Sequence, residues 1–203
     1  MIWVKVCGLS EERDVAAAVE AGTDAVGFVL AEGSPRRVSI HRAASLMDGV
    51  PALRILVTSN MEPGEIAAAV ATTGADGIQA HGRHAAPAAA AGVATGWFVL
   101  RPVAMSTEPP EPDPATVPRG QIPLLDSAGA TSLGGSGVPF DWETTGAIDR
   151  PFVLAGGLSP DNIRTAIDQV GPWGVDASSG LESAPGVKDP VRVAAFIEEA
   201  KRA

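Results

Sequence analysis

Strand-like and helix-like segments alternate from one end of this chain to the other. Strand-like runs fall at 2–7, 25–30, 53–58, 76–80, 97–101, 122–126, 152–155 and 173–177. Between most of them lie alanine-rich stretches with helical spacing, at 11–21, 40–48, 63–73, 84–92, 160–169 and 190–202. A strand followed by a helical crossover pairs in parallel with the next strand. Eight such units within 203 residues predict an α/β chain folded as a single compact (β/α)8 TIM barrel, one domain over 1–203. An open doubly wound sheet is the competing arrangement, but no GxGxxG follows the first strand.

One stretch breaks the rhythm. Residues 102–120 carry Pro102, Pro109, Pro110, Pro112, Pro114 and Pro118. A helix interior does not tolerate that density. The fifth helix is therefore expected to be replaced or shortened by a Pro-rich loop. Helix starts are marked more plainly elsewhere. Ser10 is the expected N-cap of the first helix, and Ser159 with Pro160 marks the helix at 160–169. Asp189 with Pro190 marks the last one.

Composition enters as a set of exclusions. A net charge of −9 argues against a nucleic-acid surface, which needs a basic face. It also requires any anion site to concentrate positive potential locally. The one cysteine forms no internal disulfide, and no Cys/His cluster has zinc spacing, so no metal is expected. No apolar run is long enough to span a membrane. These features read as a cytoplasmic protein without membrane or nucleic-acid partners. Monomer and homodimer both suit the sequence.

In a barrel of this kind chemistry gathers where the strands end. The first strand ends at Cys7-Gly8 and the sixth at Asp126-Ser127. Cys7 is a candidate base, nucleophile or small buried hydrophobe. As a base it must be a thiolate, so nearby positive charge is expected to lower its pKa. Asp126 is a candidate proton donor, or else a turn residue. Strand alternation puts Lys5 on the same side as Cys7, facing the interior. A buried lysine needs a partner. Strand eight closes against strand one, and Asp176 has matching parity, which predicts a Lys5–Asp176 ion pair beneath the rim.

Small-residue loops follow strands seven and eight: Gly156-Gly157, then Ser178-Ser179-Gly180. Two such loops in this order let backbone N–H groups approach a phosphate. Arg36 follows strand two and can pair bidentately with a carboxylate. Gln79 and His81 end strand four with inward parity, placed for direct contact with a ligand or for support, with His81 as a satisfied core histidine the alternative.

These residues and their order resemble the phosphoribosylanthranilate isomerases of tryptophan biosynthesis. The resemblance runs through Lys5-Val6-Cys7-Gly8, Gly27-Phe28, Ser34-Pro35-Arg36, Gln79-Ala80-His81-Gly82 and Leu125-Asp126-Ser127. It continues through Gly134-Gly135-Ser136-Gly137, Phe140-Asp141-Trp142, Leu154-Ala155-Gly156-Gly157-Leu158 and Val175-Asp176-Ala177-Ser178-Ser179-Gly180-Leu181-Glu182, then 183–189. It implies a cofactor-free Amadori rearrangement of a phosphorylated aminoaldose. Asp126 would be the general acid and Cys7 the general base. Arg36 would bind the anthranilate carboxylate, and the two small-residue loops the phosphate. The chain departs from the family pattern at Arg37, at Ala80, at Val57-Thr58-Ser59-Asn60 and at Arg101-Pro102. The histidine-pathway aminoaldose isomerase fits less well. It typically uses two aspartates and a second phosphate loop in the first half-barrel. A paralogue that binds such a metabolite without turning it over is the non-enzymatic alternative.

Overall fold

The computed structural model describes residues 1–105, 110–127, 141–145 and 148–203. Eight parallel strands close into a barrel in sequence order. They are β1 (Trp3–Cys7), β2 (Ala25–Val29), β3 (Leu53–Ser59), β4 (Gly77–His81), β5 (Phe98–Ala104), β6 (Ile122–Asp126), β7 (Val153–Leu154) and β8 (Gly174–Ala177). Six α-helices are described: α1 (Glu12–Glu20), α2 (Ile40–Met47), α3 (Pro63–Thr73), α4 (Ala85–Thr95), α5 (Ile163–Val170) and α6 (Pro190–Arg202). No helix among the described residues is long and apolar enough to cross a membrane.

Alternation sorts the side chains. One parity of each strand packs outward against the helices, as Val4, Val6, Val26, Phe28, Leu56 and Ile78 do in the main core. The other parity fills the barrel, with Ala25, Ile55, Leu100, Leu124 and Val153 as its apolar layer. Burial of both faces explains why these strands read as near-continuous apolar runs. The bottom is closed by Trp3, whose ring lies 5.7 Å from Phe98 and stacks on Trp173 at 5.2 Å.

Three expectations are corrected. Strand five does not stop at Arg101 but runs through Pro102 to Ala104. Ala104 then exchanges backbone hydrogen bonds with Glu111 (2.8 and 3.2 Å), so the chain folds back over the strand end. What stands in for the fifth helix among the described residues is a single 3-10 turn, Pro114–Thr116, capped by Asp113. Ser10 does not cap α1; the N-cap is Glu11, without a side-chain cap bond. The Ser10 carbonyl instead accepts from Arg42 of α2 (3.1 Å). Ser159 and Pro160 lie in a turn that precedes α5, which starts at Ile163. Asn162 folds that turn by accepting from Ser159 N–H (2.8 Å) and donating to the Gly157 carbonyl (2.9 Å). Asp189 caps α6 as expected, accepting from Val191 N–H and Arg192 N–H ahead of Pro190. The Gly134-Gly135-Ser136-Gly137 stretch and Phe140 lie outside the described residues.

Candidate active site

The inward parity that fills the barrel carries polar groups at its upper end. Lys5 is fully buried, and its ammonium donates to Asp176 Oδ2 (2.8 Å) and Gln79 Oε1 (3.0 Å). The register places Lys5 beside Asp176 across the β1–β8 seam, as parity requires. Burial alone would push the Lys5 pKa down. The Asp176 carboxylate and the Cys7 thiol outweigh that and hold it above the ordinary value. Because Gln79 gives its oxygen to Lys5, its amide nitrogen faces His81 Nε2 at 3.0 Å. His81 Nε2 is then the acceptor and its proton sits on Nδ1. Burial, with Lys5 and Arg101 nearby, pushes the His81 pKa down to about 4, so the ring is neutral.

Cys7 sits one step above Lys5 on the same face and is buried. Gly27 on β2 makes the room: a Cβ there would lie 2.8 Å from the Cys7 sulfur and 3.1 Å from Lys5 Cε. The thiol's pKa does not fall as expected. Burial pushes it up and Asp176 adds to this, outweighing the opposing Lys5 and Lys188. Asp126 ends β6 with the parity of inward Leu124 and lines the same cleft as Cys7.

Arg36 reaches this cleft from the β2–α2 loop, but it already holds one carboxylate. Its Nε and Nη2 donate to the two oxygens of Glu182 at 2.6 and 2.9 Å. Glu182 also accepts from Lys188 Nζ (2.7 Å) and from Gly186 N–H (3.1 Å). Glu182 and Lys188 belong to a hairpin after β8, β9 (Glu182–Ala184) and β10 (Val187–Lys188). Neither had been given a role from the sequence. The one usable signal was a charged pair inside the Leu181–Asp189 continuation of the strand-eight loop.

The two small-residue loops meet at the rim. Gly156 and Gly157 both have positive φ, +82° and +67°. A Cβ on Gly156 would lie 2.5 Å from Ser127 N, and one on Gly180 would lie 2.0 Å from the Leu158 carbonyl. Glycine is what lets loops six, seven and eight touch. A short 3-10 helix, Ser179–Leu181, follows β8, a feature not foreseen from the sequence. Its N-terminus and the Gly156-Gly157 loop border one cleft, an arrangement suited to a phosphate. Arg37 points elsewhere: it is exposed, 3.5 Å from Glu32, and lines a separate groove with Val38 and Met61. Arg101 lines a neighbouring cleft with Arg83 and Glu111.

Comparison with known proteins decides the family. The family model described as N-(5'phosphoribosyl)anthranilate (PRA) isomerase matches residues 4–199. The chain belongs to the N-(5'-phosphoribosyl)anthranilate isomerase family. A family member from Rubrobacter xylanophilus is 37% identical, with 99% of this chain and 100% of that protein covered. The solved phosphoribosyl anthranilate isomerase of Thermotoga maritima superposes with a TM-score of 0.88 at 35% identity, covering all of both chains. Another solved isomerase of this family, in complex with reduced 1-(o-carboxyphenylamino)-1-deoxyribulose 5-phosphate, superposes with a TM-score of 0.84 at 33% identity, again over both whole chains. The closed eight-stranded barrel seen here matches the barrels of these solved phosphoribosylanthranilate isomerases.

Proposed function

We propose that this chain converts N-(5-phosphoribosyl)anthranilate to 1-(2-carboxyphenylamino)-1-deoxyribulose 5-phosphate in tryptophan biosynthesis, with Asp126 as general acid and Cys7 as general base. The observation that carries the assignment is the cleft itself. Cys7, Asp126, Arg36 and both small-residue loops line one opening at the C-terminal ends of the strands. The phosphate is held by the loops at 156–157 and 178–180, and the anthranilate carboxylate by Arg36.

Asp126 protonates the furanose ring oxygen, and the ring C–O bond at C1′ breaks as the amine nitrogen forms a Schiff base. Cys7, which burial keeps mostly as the thiol at neutral pH, acts through its thiolate form: the thiolate takes the C2′ proton, and the electron pair flows into an enolamine. Protonation at C1′ and loss of the hydroxyl proton give the ketone. Oxidation at C2′ and reduction at C1′ balance within one molecule, so the reaction needs no cofactor. Lys5, kept charged by Asp176, stabilises the thiolate from below.

A fluorescence assay with freshly generated phosphoribosylanthranilate tests this. The parent consumes the fluorescent substrate, and Cys7→Ser and Asp126→Asn each slow it by about 100-fold or more. An inactive parent that still binds a product analogue would instead mark a binding paralogue.

A further inference from the structure

Three charged side chains at this rim are withdrawn from water together. The side chains of Arg36, Glu182 and Lys188 are 10%, 4% and 0% exposed. One carboxylate therefore serves two cations, and one positive charge is left in excess within this cluster. Burying such a cluster is costly unless each group is held in good geometry. Here Glu182 accepts four donors: Arg36 Nε and Nη2, Lys188 Nζ and Gly186 N–H. Lys188 spends its remaining hydrogens on the Ser178 carbonyl (2.9 Å) and hydroxyl (3.4 Å).

The directions of these bonds matter more than their number. A guanidinium has a side edge, Nε with one Nη, and an end edge formed by the two Nη groups. Glu182 occupies the side edge of Arg36, so the end edge is what remains for a ligand. At the other side of the bridge, Lys188 draws the Ser178 carbonyl back, while Arg192 Nε holds the Gly180 carbonyl (2.9 Å). With these carbonyls engaged by cations, N–H groups are what the loop backbone has left to offer a ligand.

We propose that Glu182 and Lys188 are positioning residues that form a buried bridge joining the two anion-binding ends of the cleft, Arg36 at one end and the 178–180 loop at the other. The bridge rests on the function proposed above and adds to it. It fixes the separation between the carboxylate-binding and phosphate-binding groups, so loss of either bridging residue loosens both ends at once.

Fragment binding tests this without relying on turnover. Anthranilate probes the Arg36 end and ribose 5-phosphate probes the loop end, each titrated calorimetrically against the parent, Glu182→Gln and Lys188→Gln. The two variants are isosteric or shorter and keep a hydrogen-bonding amide, and a variant enters the comparison when its thermal melt stays cooperative. The expected result is that each variant weakens both fragments by about fivefold or more and raises KM more than it lowers kcat. Weakening of one fragment alone, or of neither, overturns the bridge. A parent that binds both fragments but shows no turnover would sink the isomerase reading and leave the bridge standing. A parent that binds neither fragment overturns the bridge, while the isomerase reading stands or falls on the fluorescence assay.

Discussion

The lower and upper ends of the barrel interior are lined by the same strands at the same inward parity, yet they meet different requirements. The lower end is filled by Trp3, Leu53, Phe98 and Ile122, which need only volume. Two to four residues further along β1 and β6 stand Lys5, Cys7 and Asp126, joined there by Gln79 of β4 and Asp176 of β8. Each of these polar groups needs a particular neighbour. A floor of rings tolerates approximate shape, whereas a buried ammonium tolerates no loss of its carboxylate. The direction of the strand thus separates support from chemistry within a single column of side chains.

The contrast is broken most directly at the Lys5–Asp176 pair. Asp176→Asn leaves Lys5 buried without a counter-charge, and urea unfolding should register a loss of about 3–5 kcal/mol. The double change Lys5→Met with Asp176→Leu should recover most of that stability while the reaction stays slow. A single variant as stable as the parent would erase the distinction between the two ends. At the floor, Trp3→Leu should cost about 1–3 kcal/mol through lost volume alone. Its kcat/KM should stay within about twofold of the parent, and a large drop there would mean that the floor governs the chemistry above it.

Two titrations sharpen the comparison further. Cys7 is the sole thiol, so the pH dependence of iodoacetamide alkylation reports on it alone. Its pKa is raised by burial, so reactivity should climb on the alkaline side of the free-thiol range, about 8.5. A midpoint at or below that value would show that Lys5 and Lys188 win over burial. A second titration is read on the acid side, at His81. Its pKa is about 4 in the folded chain against an ordinary 6.5, so the unfolded chain binds the extra proton between those values. Stability should therefore be full above about 6.5 and decline as pH falls toward 4, and His81→Gln should flatten that decline.

Much of this was legible in the sequence because barrels obey period and order. Strand limits fell within a residue or two except at β5, where pairing with β6 runs past Pro102 to Ala104. The Lys5–Asp176 pair followed from parity together with closure of strand eight on strand one. The helix starts near Ser10 and Ser159 were misread because a tertiary partner, Arg42, takes the Ser10 carbonyl, and a local one, Asn162, folds 159–162 into a turn ahead of α5. The direction of the Cys7 pKa depends on how burial weighs against distances to Lys5 and Lys188, which no spacing reveals. Glu182 and Lys188 escaped notice because they sit on a hairpin turned at Pro185-Gly186, where neither period applies.

The Lys5–Asp176 contact also bears on how the molecule comes into being. Its two partners are 171 residues apart and sit on the first and last strands of the barrel. During synthesis the lysine emerges early, and its carboxylate emerges only when the eighth strand does. Until then Gln79 offers it one neutral oxygen, too little to hold a bare ammonium away from water. The nascent first strand therefore lacks its charge partner, and the ion pair at the seam forms only once the eighth strand has been made. The charge beneath the reaction site doubles as a check that the whole barrel has been made.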